Sequence, residues 1–147
     1  MEVKERTISK DGRRPGDLQF PEFFSGLTVD VDVTIATNLC PSYVKKGPYT
    51  PSELFKAAKD TKNKTYDSFY KENKDIFEER RLMVFSMDTF GNFSEEAHEV
   101  ITQLAICRAA NENTTIVNAE MEIKQFMSAK LAQITGTQLT KVNRKPK

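Results

Sequence analysis

From Thr28 to Ala36 apolar and polar residues alternate strictly, with Val29, Val31, Val33 and Ile35 on one side and Asp30, Asp32 and Thr34 on the other. A period of two in β-branched residues predicts a strand whose valine side packs on a core. Before it, the turn signal Arg13-Arg14-Pro15-Gly16 runs into the short extended segment Asp17-Leu18-Gln19-Phe20. Ser25-Gly26 is a tight link, so the two segments read as an antiparallel hairpin. Thr50-Pro51-Ser52-Glu53 combines an N-cap threonine, a proline at the first position and a glutamate three residues after the cap. A helix is predicted from there to about Tyr70. Phe55, Ala58, Lys62, Tyr66 and Phe69 form its stripe, and a lysine interrupts that stripe. Leu82 to Asp88 predicts a second strand, ending at Thr89-Phe90-Gly91. Ser94 caps a helix carrying Ala97, Ile101, Leu104 and Ala105, and Asn111 to Thr115 ends it. A last helix of about 20 residues carries Ile116, Ile123, Phe126, Met127, Leu131 and Ile134. Val3 to Ile8 is a further strand candidate.

This order predicts an α/β fold, a small mixed central sheet flanked by helices. At 147 residues the chain suits one domain, assigned to residues 1–136, with 137–147 as a basic, flexible tail. It has no apolar run of about 18 residues, and its charged start does not suit a signal peptide, so an intracellular protein without a membrane partner is expected. Cys40 and Cys107 form no C-x-x-C pair, which argues against a zinc ribbon and predicts two inert, buried thiols. A single histidine, His98, excludes sites built from two or three imidazoles. The net charge of +1 is low for a protein that lives by nonspecific DNA binding. Local basic patches remain at Lys56, Lys59, Lys62 and Lys64, and at Lys141, Arg144, Lys145 and Lys147.

Asp30 and Asp32 lie on one face of their strand, about 7 Å apart. Aspartate forms strands poorly, so the pair is either the solvated face of a half-buried sheet or a site. Asp17 bears on that choice, because the hairpin brings it close enough to Asp32 to share one cation. Two carboxylates, a backbone carbonyl and waters suit Mg²⁺ or Mn²⁺. Lys62, on an apolar stripe, needs a charged partner, and these carboxylates are candidates. There it could position a water or stabilise charge on a phosphate. The alternative is a lysine snorkelling to the surface, with Lys59 as the fallback. His98, among Glu95, Glu96 and Glu99, is expected in solvent, Asp88 reads equally as a cap of the Phe90-Gly91 turn, and Tyr66 and Phe69 read as core. No Gly-rich phosphate loop, G-x-S-x-G or Cys/His nucleophile pair is present.

Arg14-Pro15-Gly16-Asp17, Pro21-Glu22-Phe23 and Val31-Asp32-Val33-Thr34, in that order, resemble the restriction-like endonuclease domain of non-LTR retrotransposon reverse transcriptases and related stand-alone eukaryotic reading frames. That domain belongs to the PD-(D/E)xK nuclease superfamily. The lysine-rich segment Ala57 to Tyr66 and the run Val84 to Gly91 are also similar, so the likeness spans about residues 10 to 105. The resemblance implies a restriction-endonuclease-like fold and a Mg²⁺- or Mn²⁺-dependent DNA endonuclease, nicking a target site for a mobile element. Asp17 and Asp32 would be its metal-binding acids, with the Val33 carbonyl as a further ligand. Thr34 stands where the pattern has lysine, and Lys62 fits the relocation of that lysine to the following helix. Arg14, Lys59 and Asp30 are supporting candidates. DNA, a reverse transcriptase or other DNA-binding partner, and a second copy of the chain are the expected partners, in a nucleus if the source is eukaryotic. The alternative is a catalytically degenerate module of the same fold that binds nucleic acid or protein.

Overall fold

The computed structural model describes residues 12–13, 16–24, 26–37, 45, 49–75 and 80–143, the last nine of these by backbone alone. Among them are three strands and three helices: β1 (Leu18–Phe24), β2 (Leu27–Ala36), α1 (Pro51–Glu72), β3 (Arg80–Asp88), α2 (Glu95–Glu112) and α3 (Ile116–Asn143). The sheet is mixed, in the order β1-β2-β3. β1 and β2 form the expected antiparallel hairpin, with Leu18 opposite Val31 and Phe24 opposite Leu27. β1 is irregular between Phe20 and Phe24, around Pro21 and Glu22 at φ 55°. An edge strand tolerates this, because proline lacks the N–H that a ladder needs. α1 carries the chain over to β3, which runs parallel to β2 and places Asp32 beside Val84 and Thr34 beside Ser86. The candidate strand Val3 to Ile8 lies outside the described residues.

Strand alternation divides the chemistry between two faces. Val29 and Val31 of β2 and Met83 and Phe85 of β3 form one core with Ala97, Val100 and Ile101 of α2. Phe20, Phe23 and Phe24 of the hairpin pack against that core. The opposite face carries Asp30 and Asp32, and the side chains of α1 reach it. The acidic face is therefore covered rather than half-solvated: Asp30 is 0% and Asp32 3% exposed. Among the described residues β3 is the other edge strand, and outward N–H groups near its end are taken up locally. The Glu96 carboxylate accepts from Val84 N–H at 2.7 Å, and the Ser94 hydroxyl accepts from Ser86 N–H at 3.3 Å. Covering an edge in this way blunts it as a template for further strands.

The helix ends follow their local chemistry. Thr50 and Glu53 close a capping box, each accepting from the other's backbone N–H (2.8 and 3.3 Å). Ser94 caps α2, and Asn113 ends it in the left-handed conformation at φ 52°. α3 continues through Gly136 to Asn143, beyond the 20 residues that its periodicity covers. Three expectations need correction. Val33 and Ile35, on the strand face predicted to pack on the core, are 41% and 43% exposed, because the core of that face ends at Val31. Leu54, outside the predicted stripe, is the most buried residue of α1 at 1% exposed. Cys107 is exposed on α2 rather than buried, because it lies past Ala105, the last residue that this helix buries. Cys40 lies outside the described residues.

Candidate functional site

Three elements converge on Asp32. It stands mid-strand in β2, where regular pairing to β3 holds its backbone on one side, one residue past the end of the β1 ladder on the other. Lys62 reaches it from the middle of α1, with Nζ 2.8 Å from Oδ2. One turn later the Tyr66 hydroxyl donates to Oδ1 at 2.9 Å. Residues four apart on a helix share a face, so one stretch of α1 supplies both partners. Apart from the lysine's charge contact, Oδ2 receives no well-aligned hydrogen bond among the described residues.

Asp17 completes the group from the start of β1. Its N–H donates to the Val31 carbonyl at 2.8 Å, and its Oδ2 accepts from Val33 N–H at 2.8 Å. The backbone groups on either side of Asp32 are thus both tied to Asp17. Gly16 makes this approach possible. It adopts φ +62°, and a Cβ there would stand 2.7 Å from the Val31 carbonyl oxygen. Val33 N–H leaves the strand towards Asp17, and a strand residue sends its N–H and C=O to the same edge, so the Val33 carbonyl also opens there. Asp17 is exposed and Asp32 buried, which opens the group to solvent on the Asp17 side.

Burial pushes the Tyr66 hydroxyl up to about 12, reinforced by its hydrogen bond to Asp32 and by the Asp32 and Asp17 charges, while Gly16 N–H works in the opposite direction. Tyr66 is therefore a neutral donor at physiological pH. The sequence reading assigns Tyr66 to the core, because an aromatic on a helical stripe is usually buried whole. Its spacing from Lys62 was the available signal for its polar end.

The remaining candidates separate from this group. Asp30, two residues from Asp32, is saturated by the Tyr70 hydroxyl (2.7 Å), Arg80 (3.2 Å) and Gln19 (3.1 Å). Burial, and then the Asp30 hydrogen bond, also raises Tyr70 far above its ordinary value. This second network joins the hairpin, the end of α1 and the start of β3, and it ties down structure. Lys59 turns to Glu96 at 2.8 Å rather than to Asp32. Asp88 accepts from the N–H groups of Phe90 and Asn92 and from the Asn92 side chain, which makes it a turn cap. His98 is exposed, as expected, and contacts the Phe93 ring. Phe69 is core, at 5% exposed. Arg14 lies outside the described residues.

No group of three or more His, Cys, Asp or Glu side chains suited to a metal occurs among the described residues. A cation held here would meet oxygen atoms alone, from the Asp17 and Asp32 carboxylates and the Val33 carbonyl, the kind of set that Mg²⁺ takes while keeping several waters. No described helix is long and apolar enough to cross a membrane. No protein-family model, curated protein or solved structure matches the chain.

Proposed function

We propose that the chain is a restriction-endonuclease-like nuclease that hydrolyses DNA phosphodiester bonds with Mg²⁺ or Mn²⁺. The observation that carries this reading is the ion pair between Lys62 and the buried Asp32, with Asp17 tied to the backbone on both sides of that aspartate. A structural ion pair accounts for Lys62 and Asp32 alone; Asp17, which also accepts from Val33 N–H, brings a second carboxylate to the same end of the hairpin. The hairpin, the crossing helix and the parallel third strand support the restriction-like arrangement, with the lysine delivered from the helix in place of Thr34.

Asp17, Asp32 and the Val33 carbonyl would hold the cation. When bound, it would supply a Lewis acid and a water of lowered pKa. Lys62 stands beside Asp32 with its side chain partly open to solvent, where its ammonium could stabilise the charge that grows on a phosphate. Tyr66 fixes the orientation of Asp32 by holding Oδ1. In a mobile element, such an enzyme would nick the target site, with a reverse transcriptase as a natural partner.

The test is cleavage of supercoiled plasmid by the purified chain with Mg²⁺, Mn²⁺ or chelator, beside Asp32→Ala. Metal-dependent nicking that disappears in the variant supports the nuclease. Absence of cutting with either metal moves the reading to a catalytically silent module that binds nucleic acid or protein. One observation favours that second reading: both Asp32 oxygens already have partners within the chain.

A further inference from the structure

A cleft of about 540 Å³ lies between the first half of α1 and the start of α2, and Lys56, Lys59, Ser86, Ser94, Glu95 and Glu96 are among the residues that line it. Ser86 is 1% exposed, and its hydroxyl has no hydrogen-bond partner among the described residues. Its backbone is already satisfied: N–H donates to the Ser94 hydroxyl (3.3 Å) and the carbonyl accepts from Ser94 N–H (2.9 Å). The hydroxyl alone lacks a partner. At the same place α2 begins. Ser94 takes the N–H groups of Ala97 and His98, and those of Glu95 and Glu96 carry no hydrogen bond among the described residues. A helix start with free N–H groups attracts anions, and here a buried, unpartnered hydroxyl lines the same space.

We propose that this cleft holds a phosphate group of the nucleic-acid strand, adjacent to the phosphate cut at Asp32. The inference rests on the nuclease reading. Ser86 is two residues beyond the β3 partner of Asp32 and shares its sheet face. From strand spacing and rise, the two positions are about 8 Å apart, within reach of neighbouring phosphates on one strand. Lys56 and Lys59, three residues apart on α1, continue towards Lys62 along the same helix. Two carboxylates also line the cleft. The Glu96 charge is matched by Lys59 at 2.8 Å and by Val84 N–H at 2.7 Å. Glu95 is the opposing charge, and it gives the proposal a sign that can be tested.

The experiment follows backbone amide chemical shifts of the full chain in chelator, so that no cleavage takes place. Inorganic phosphate is titrated first and a short oligothymidylate second. Both are expected to move the amides of Glu95, Glu96 and Ser86. Ser86→Ala is expected to weaken both by about tenfold, the value of a hydrogen bond to a charged group. Lys56→Gln is expected to weaken them further, and Glu95→Gln to tighten them. Amides that stay still, or weaker binding in Glu95→Gln, overturn the site. A response to phosphate but not to the oligonucleotide overturns its assignment to a strand. Neither readout depends on cutting, so failure in the plasmid assay and failure here are distinguishable.

Discussion

Lys62 Nζ stands 2.8 Å from Asp32 Oδ2, and the two come from elements that meet only in the folded chain, the middle of α1 and the middle of β2. The carboxylate is almost fully buried, while the lysine side chain is 36% exposed, so water reaches one partner and not the other. Lys62→Met leaves a buried carboxylate without its cation. The expected loss of stability is about 1–2 kcal/mol, below that of a fully buried pair because solvent screens the ammonium. Plasmid cleavage is expected to fall roughly 100-fold or more, the effect of deleting one preorganised charge stabiliser. A variant that cuts at the wild-type rate removes Lys62 from the chemistry and leaves it a structural role.

Cation binding has a readout independent of cutting. A ligand that binds only the folded chain raises its stability by about 1.4 kcal/mol at ten times its Kd. Thermal unfolding with rising Mg²⁺ or Mn²⁺ is expected to show this increase in the wild type. Asp32→Asn, which keeps shape and removes charge, is expected to abolish it. A wild-type melting temperature indifferent to both ions favours the silent module.

Much of this arrangement was readable from the chain because local rules and tertiary packing agree. The alternation around Asp32 set the strand, Thr50 to Glu53 set the start of α1, and Ser94 set that of α2. Asp30 and Asp32 were indistinguishable by period, since both lie on one face. What separates them is which α1 residue stands above each, Tyr70 or Lys62 with Tyr66, and that depends on where the helix crosses the sheet. No one-dimensional pattern encodes that crossing. The same limit applies to Lys59, which is one turn from Lys62 and ends on Glu96 of a helix more than 30 positions away. Cys107 was misplaced because free cysteines are usually buried, and the sequence does not show where α2 leaves the core.

The Asp30 network makes a contrasting prediction. Arg80 is 10% exposed at its side chain and Asp30 0%, so both charges are withdrawn from water. Arg80→Ala is expected to cost about 3–5 kcal/mol, because Asp30 remains buried with neutral donors alone. Metal-induced stabilisation, measured at a temperature where the variant is still folded, is expected to persist. Loss of the metal response in a folded Arg80→Ala would instead join the two networks into one site.

The tyrosines give the fold an alkaline limit. Tyr66 titrates at about 12 in the folded chain against an ordinary value of 10.0. A raised value means that folding favours the protonated phenol. Its contribution is complete below pH 10 and is lost as pH rises from there through about 12. Tyr70 is shifted in the same direction by burial and by Asp30. Urea midpoints are therefore expected to fall above pH 10, together with tyrosinate absorbance that develops late. Tyr66→Phe is expected to flatten part of that fall; an unchanged slope would mean that its phenol is not held neutral by burial and Asp32.

Gly16 provides a test that touches no carboxylate. At φ +62° with the Val31 carbonyl in the way of any Cβ, Gly16→Ala must move the backbone that carries Asp17. Gly12 is a built-in control, at φ +79° with nothing within 4 Å of a Cβ. Gly12→Ala meets only the left-handed backbone penalty, about 1–2 kcal/mol at most, and is expected to leave metal binding and cleavage unchanged. Gly16→Ala adds a backbone collision, for a total of about 2–4 kcal/mol. A carboxylate shifted by about 1 Å is expected to lower cleavage by roughly 100-fold. The comparison is made at equal folded fraction, checked by circular dichroism. If Gly16→Ala and Asp17→Asn are both folded and cut like the wild type, Asp17 is not a ligand and the site reduces to Asp32, Lys62 and Tyr66.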